Sequence, residues 1–248
     1  YQYAHGNISP MFSITTVLYV LFSAVVFFFF KDNKSTRRSN REVDVDMAEE
    51  KEQVKMPVSN LVISWTFFAA LMIIWTMYEQ WASNLSVFMT DQGISMTKYS
   101  LLWTLNGVLI VIIQLIITWI NRYRSNLYLQ VFLGIFTVGF SFVLLLFAKS
   151  YVWFVLAMTV LTIGEATAFP TMPAIVNELS PVNIKGKYQG ILNAFSSLGK
   201  AIGPLFGGIL IELSSYRILF VVCAVAVFAT LAVVFVVVKA NQSRTVRY

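Results

Sequence analysis

Cysteine and histidine are almost missing from this chain of 248 residues. The single cysteine, Cys223, lies in an apolar run, so no internal disulfide can form and no cysteine-based metal site is plausible. The one histidine, His5, leaves little for zinc binding or histidine-dependent catalysis, and neither a metal nor a cofactor is expected. Charge is scarce too. Asp, Glu, Lys and Arg make up 12% of the residues and hydrophobic residues 58%, where soluble domains carry roughly 25% and 45–50%. A water-soluble fold of this length must keep a largely polar surface and cannot hide so much apolar area. With a mean hydropathy of +0.72, most of the chain is expected to have lipid as its solvent. The phosphate-cradling, metal and nucleophile signatures of enzymes are also missing, so no enzymatic activity is expected.

What the chain does have is long apolar runs. Crossing ~30 Å of hydrocarbon takes about 20 apolar residues in a helix. Seven stretches qualify: residues 11–30, 61–89, 99–120, 127–148, 152–176, 188–213 and 218–238. Turn or charge signals separate them, such as Lys31-Asp32-Asn33-Lys34, Asp91-Gln92-Gly93 and Ser214-Ser215. Backbone amides facing lipid must be paired within their own segment, so the runs are read as helices. The expected fold class is an all-α polytopic membrane protein with seven transmembrane helices. Charge and not a small-residue cleavage pattern follows the first run, which therefore reads as a span and not as a signal peptide.

The basic residues orient the spans. Lys31, Lys34, Arg37, Arg38, Arg41, Lys51, Lys55, Arg122, Arg124, Lys185, Lys187, Lys239, Arg244 and Arg247 fall on one side, and Lys98, Lys149 and Arg217 on the other. The positive-inside rule makes the first side cytoplasmic, which puts the amino end outside and the carboxyl end on the cytoplasmic side of a plasma membrane. Basic loops against an anionic leaflet account for the net charge of +6, and no nucleic-acid partner is needed. The plan is asymmetric: one helix within residues 1–30, a charged cytoplasmic stretch at 31–60, six closely joined helices at 61–238 and a short tail at 239–248. The stretch at 31–60 is basic first and then acidic, a composition suited to a flexible linker or a surface helix.

Three motifs accompany this plan. The span 188–213 holds Gly190, then Gly199, Gly203-Pro204 and Gly207-Gly208. Gly164-Glu165, Phe169-Pro170 and Pro173-Ala174 are followed by Leu179-Ser180-Pro181 and Tyr188-Gln189-Gly190. Trp119-Ile120-Asn121-Arg122-Tyr123-Arg124 forms a basic turn. The plan resembles the join between the halves of a major facilitator transporter, whose two six-helix halves are related by an axis along the membrane normal. The first motif resembles the glycine-proline motif of drug–proton antiporters, where it belongs to the fifth helix of the first half; here it occupies the equivalent helix of the second. The second resembles the tenth-to-eleventh-helix region of bacterial multidrug members. The third sits where the family's basic turn recurs, without its glycine and aspartate. The resemblance implies that residues 1–30 are the last helix of a first half and 61–238 a complete second half. It also implies that the chain, which opens on Tyr1, is a piece whose partner is an N-terminal six-helix half.

Three charges sit inside apolar runs: Glu79, Glu165 and Lys200. Each costs at least ~2.5–3.5 kcal/mol at the centre of a spanning helix. Lys200 and Glu165 fall near the middle of their spans, Glu79 in the outer third. Glu79 stands among Trp75, Tyr78, Gln80 and Trp81. A carboxylate desolvated by aromatics is a usable proton carrier, and aromatics suit apolar or cationic substrates; the alternative is a side chain reaching out to interfacial water. Glu165 and Lys200, opposite in sign and similar in depth, are expected to form either a structural ion pair or one that substrate or a proton breaks. Asn193, Ser196, Ser197, Lys200, Pro204 and Gly207 share one face, which is expected to look into a cavity or onto a neighbouring helix. For the glycines, close packing alone is an adequate reading. Asn106 and Gln114 share a face of span 99–120 and are expected to line the same cavity. Pro170 and Pro173 are expected to kink their helix and free carbonyls near Glu165.

These residues lead to proton-coupled export of small lipophilic or cationic compounds, with Glu79 and Glu165 carrying protons and Trp75, Tyr78, Asn106, Gln114, Asn193 and Lys200 meeting substrate. Uptake of a polar solute such as a peptide or sugar stays open, because a lysine beside two glutamates suits a zwitterion. So does a chain that transports nothing without its other half. Seven-helix retinal proteins and receptors are the remaining alternatives: the former carry their lysine in the last helix, where 218–238 has none, and the latter rarely carry a charged loop like 31–60 after the first helix.

Overall fold

The computed structural model describes residues 9–29, 56–123 and 126–248. They belong to two units, Tyr1–Lys55 and Met56–Tyr248. The described part of the first unit is one helix, α1 (Ser9–Phe29), 21 residues without a charged side chain. The polar stretch beginning at residue 31 lies outside the described residues as far as residue 55, together with seven of the basic side chains used for orientation; His5 and Arg124 lie outside them too.

The regular structure among the described residues of the second unit is all helical: α2 (Val58–Ser83), α3 (Leu85–Asp91), α4 (Met96–Asn121), α5 (Leu127–Leu145), α6 (Tyr151–Leu179), α7 (Lys185–Leu213) and α8 (Tyr216–Asn241). Short 3₁₀ turns occupy Val182–Ile184 and Gln242–Arg244. Among the described residues six helices are long and apolar enough to cross a membrane, with α2 and α3 counted as one, and α1 adds the shorter apolar stretch Phe12–Val25. The chain is an all-α polytopic membrane protein. The run at 61–89 is not one uniform helix, however, because it divides at Asn84. Asn84 Nδ2 donates to Gln80 Oε1 at 2.6 Å, a side-chain bond of the kind that competes with the helical ladder.

Caps explain where the helices start and stop. Asn126 Oδ1 accepts from the Leu129 amide at 3.1 Å and opens α5. Gly93, with φ +77°, is the one described residue in the left-handed region and turns the chain from α3 into α4.

Small residues bring α5 and α6 into close contact. A Cβ on Gly134 would stand 2.6 Å from the Ala168 Cβ, and one on Gly164 would stand 2.6 Å from the Gly134 carbonyl oxygen. Such small residues let backbones touch, which is how helices associate where lipid removes the hydrophobic drive. α2 packs on α7 and α8, α5 on α8, and α4 on α6. Phe67, Phe68, Trp81, Phe142, Phe154 and Phe220 fill the interior.

The tail read at 239–248 is largely structured. α8 runs on to Asn241, and the last residues dock beside the start of α2 and the end of α6. Fully buried Asn60 donates from Nδ2 to Leu179 O (2.8 Å) and Val246 O (2.6 Å) and accepts from the Val246 amide (3.1 Å). Asn60 is therefore a helical residue and not the end of a linker.

Candidate functional site

Three helices meet at one carboxylate. α2 presents Trp75, Tyr78 and Glu79, spaced three and four residues apart and so on one face. α6 presents Thr162, Glu165 and Phe169, and α4 presents Trp103 and Asn106. Glu165, half-buried at the middle of α6, accepts at Oε2 from the Tyr78 hydroxyl (2.9 Å) and from Asn106 Nδ2 (2.8 Å). Asn106 also donates to Thr162 Oγ1 (3.0 Å), whose own hydroxyl donates to Met158 O (2.7 Å). The network therefore runs in one direction and orients the Asn106 amide. Hydrogen bonds to an ionised acceptor are about twice as strong as neutral ones, which offsets part of the cost of burying Glu165. Glu165 Oε1 has no hydrogen bond among the described residues. That oxygen can take a proton or face a substrate cation.

Aromatic rings wall the carboxylate. The Trp75 and Phe169 centroids are 4.5 Å apart, Trp75 and Tyr78 5.1 Å, Tyr78 and Phe169 5.6 Å, and Tyr78 and Trp103 6.4 Å. Their ring faces are negative and attract cations. Lys200 of α7 shows this directly, with Nζ 3.8 Å from the Trp75 ring centroid. The expected Glu165–Lys200 ion pair is not formed. Tyr78 and Asn106 satisfy the carboxylate, and Trp75 holds the ammonium instead. Among the described residues the ion pair seen is Arg247–Glu178, at 3.4 Å and partly exposed. Glu79 lies beside Tyr78 with its Cβ against Gly203, and its carboxylate makes no hydrogen bond among the described residues.

Of the residues singled out from sequence, Trp75, Tyr78, Asn106, Glu165 and Lys200 come together and Glu79 borders them. Gln114 does not join them: two turns along α4 from Asn106, it lines a separate cavity between α4, α5 and α6. Asn193 is exposed on α7, seven residues before Lys200. The polar stripe on α7 also divides, because Asn193, Ser197, Lys200 and Pro204 are exposed while Gly199, Gly203 and Gly207 are buried. A Cβ at Gly199 would collide with Met72 O, one at Gly203 would stand 2.5 Å from the Glu79 Cβ, and one at Gly207 would collide with Gln80 Oε1. Gly190 and Gly208 face open space, so the close packing of the glycine-proline motif rests on three of its five glycines.

Sequence reasoning passed over Phe169 and Trp103 as site residues, although each lies within one turn of a residue it did select. It also passed over Thr76 and Gln80. Gln80, fully buried, donates from Nε2 to Gly203 O at 2.8 Å, and Thr76 Oγ1 lies 3.3 Å from Gly199 O. Two polar residues four apart on α2 thus meet the carbonyls of two glycines four apart on α7. Gln80→Leu is expected to destabilise the fold by about 0.6–1.7 kcal/mol, the range for interhelical hydrogen bonds in membranes. Reversible unfolding in mixed micelles measures this, and an unchanged midpoint would contradict it.

The sequence model of the Major Facilitator Superfamily matches residues 2–181 and 85–247. The chain is 34% identical over 218 residues to the MFS-type transporter YttB of Bacillus subtilis, across 84% of this chain and 51% of that protein. It is 21% identical over 258 residues to the peptide transporter YePEPT of Yersinia enterocolitica, across 93% and 47%. Among solved structures, a POT family transporter in complex with a thioalcohol-conjugated peptide matches with a TM-score of 0.65 at 13% identity, covering 97% of this chain and 55% of that one. A POT family transporter in complex with 5-aminolevulinic acid matches with a TM-score of 0.64 at 14% identity, covering 95% and 54%. At these identities the likeness concerns the fold alone. The chain spans about half the length of the relatives it matches.

Proposed function

The chain belongs to the Major Facilitator Superfamily, and we propose that it forms the second half of a proton-coupled secondary transporter that exports small lipophilic or cationic compounds. The observation that carries this reading is Glu165, a mid-span carboxylate with one oxygen held by Tyr78 and Asn106 and the other open, inside a wall of four aromatic rings. The ionised carboxylate meets a substrate ammonium while the rings take its apolar body. A proton arriving at the same group cancels that attraction and releases the cation. One site that holds either a proton or a cation is the minimal element of antiport.

The partner would be an N-terminal six-helix half. In support, the apolar stretches of α4 and α7 are mostly uncovered, whereas those of α2, α5 and α6 are nearly half buried. They leave Asn193, Ser197 and Lys200 on uncovered faces. The docked tail, the α4–α5 turn and the start of α7 carry the basic residues assigned to the cytoplasm of a plasma membrane.

A second reading is favoured by Lys200. Stacked on Trp75, with Glu165 also neighbouring that ring through Tyr78, it supplies a second anchor of opposite sign. A zwitterion such as a short peptide would satisfy both, and the likeness to YePEPT points the same way. The two readings separate in one experiment on the complete protein. Export predicts that acid-lumen inverted vesicles accumulate a monocationic lipophilic dye and that Lys200→Gln retains this. Uptake of a labelled dipeptide driven by external acid, lost in Lys200→Gln, with no dye accumulation, would replace export by symport.

A further inference from the structure

We propose that the cavity between α4, α5 and α6 is a water-filled vestibule through which Glu165 exchanges its proton with the membrane face that carries the α4–α5 turn. This rests on the reading of Glu165 as the proton-carrying acid. The cavity, about 330 Å³, is lined by the amides of Gln114, Asn121 and Gln130 and the hydroxyls of Thr118 and Thr171. The grooves between α2 and α8 and between α5 and α8 are larger, about 690 and 370 Å³, but almost wholly apolar. A cavity holds ordered water only where it is both polar and roomy enough to offer two to four partners per molecule. This one meets both conditions, and two of its three amides hold each other, since Gln130 Nε2 donates to Asn121 Oδ1.

Along α6 the lining of the cavity comes within one residue of the acid. Ala166, which lines it, follows Glu165 in the chain. Pro170, also in the lining, has no N–H to give the Ala166 carbonyl, so this acceptor is left for another donor. On α4, Gln114 in the cavity and Asn106 on Glu165 are eight residues apart, or about 12 Å of helical rise. About three waters, joined by four hydrogen bonds of ~2.8 Å, cover that distance. The other groups around Glu165 are Tyr78 and Glu79 of α2, and Lys200 of α7 beyond Trp75. They belong to the substrate side. A separate proton route lets the acid be deprotonated while substrate occupies the aromatic wall.

The test uses the complete transporter in proteoliposomes. Thr118→Phe fills the vestibule without touching Glu165 or its ring wall. It is expected to lower gradient-driven transport at least about tenfold while substrate counterflow at equal pH stays near wild type. Loss of both activities together, or of neither, overturns the vestibule. Independently, the Thr118→Cys variant is expected to react with a membrane-impermeant methanethiosulfonate from the α4–α5 face, while fully buried Cys223 does not. A Thr118→Cys variant that gains no label over wild type also overturns it. If Glu165→Gln keeps gradient-driven transport, the proton-carrier reading has failed and not the vestibule alone.

Discussion

Glu165→Gln is expected to reduce gradient-driven transport by the complete protein by about 10²-fold or more, the scale on which positioned proton carriers contribute. Substrate exchange at equal pH should continue. Glutamine keeps the shape of the side chain, and its amide oxygen still accepts from Tyr78 and Asn106, whose bonds at 2.9 and 2.8 Å both end on one oxygen. What it lacks is a group that alternates between charged and neutral. Exchange needs only binding and the swing between states, whereas net movement against a gradient needs the proton. A variant that lost both activities equally would mean that Glu165 holds the bundle together, and one that lost neither would remove it from the mechanism. Asn106→Ala takes away one donor but leaves the acid, and serves as the structural comparison.

The second large effect is expected at Gly199. An alanine there would drive its Cβ into Met72 O, with the Trp75 Cβ at 3.0 Å and the Met72 carbonyl carbon at 3.1 Å. None of these is the tip of a flexible side chain, so α7 must move away from α2. Overpacking of this kind costs about 1–3 kcal/mol. Separation also breaks the bonds from Gln80 to Gly203 O and from Thr76 to Gly199 O. Gly208→Ala is the control, because nothing lies within 4 Å of its Cβ, and alanine is the better helix former by about 1 kcal/mol. Thermal unfolding in detergent should show a lowered midpoint for Gly199→Ala and an unchanged or raised one for Gly208→Ala. Equal midpoints would mean that α2 and α7 can part without loss.

Much of this was legible in the sequence. Apolar runs of spanning length can only be helices in lipid, so their number and order follow from composition. The charged residues within them, Glu165 and Lys200, stood out because burial in hydrocarbon is costly without a purpose. Their partners did not. Opposite charges at equal depth suggested an ion pair, yet pairing depends on which way each helix faces. The indole of Trp75 took Lys200, while Tyr78 and Asn106 took Glu165. Gln114 shares a helix face with Asn106, but two turns along the helix carry it into a different cavity. Gly190 and Gly208 match a motif in spacing, whereas only Gly199, Gly203 and Gly207 point at α2. The break at Asn84 was hidden because it falls inside one apolar run of spanning length, and the bond to Gln80 that marks it spans only four residues, a spacing that an unbroken helix offers equally. The docking of Val246 on Asn60, 186 positions apart, has no local signal at all.

The most direct test of proton coupling is the lumenal pH of proteoliposomes holding the complete protein. Substrate is added outside with pH equal on both sides, and a trapped dye reports the lumen. In antiport, each substrate that enters is accompanied by a proton leaving, so the lumen becomes alkaline in step with substrate entry, and Glu165→Gln shows substrate exchange with no pH change. Substrate that enters wild-type vesicles while lumenal pH stays constant would contradict the account at its centre.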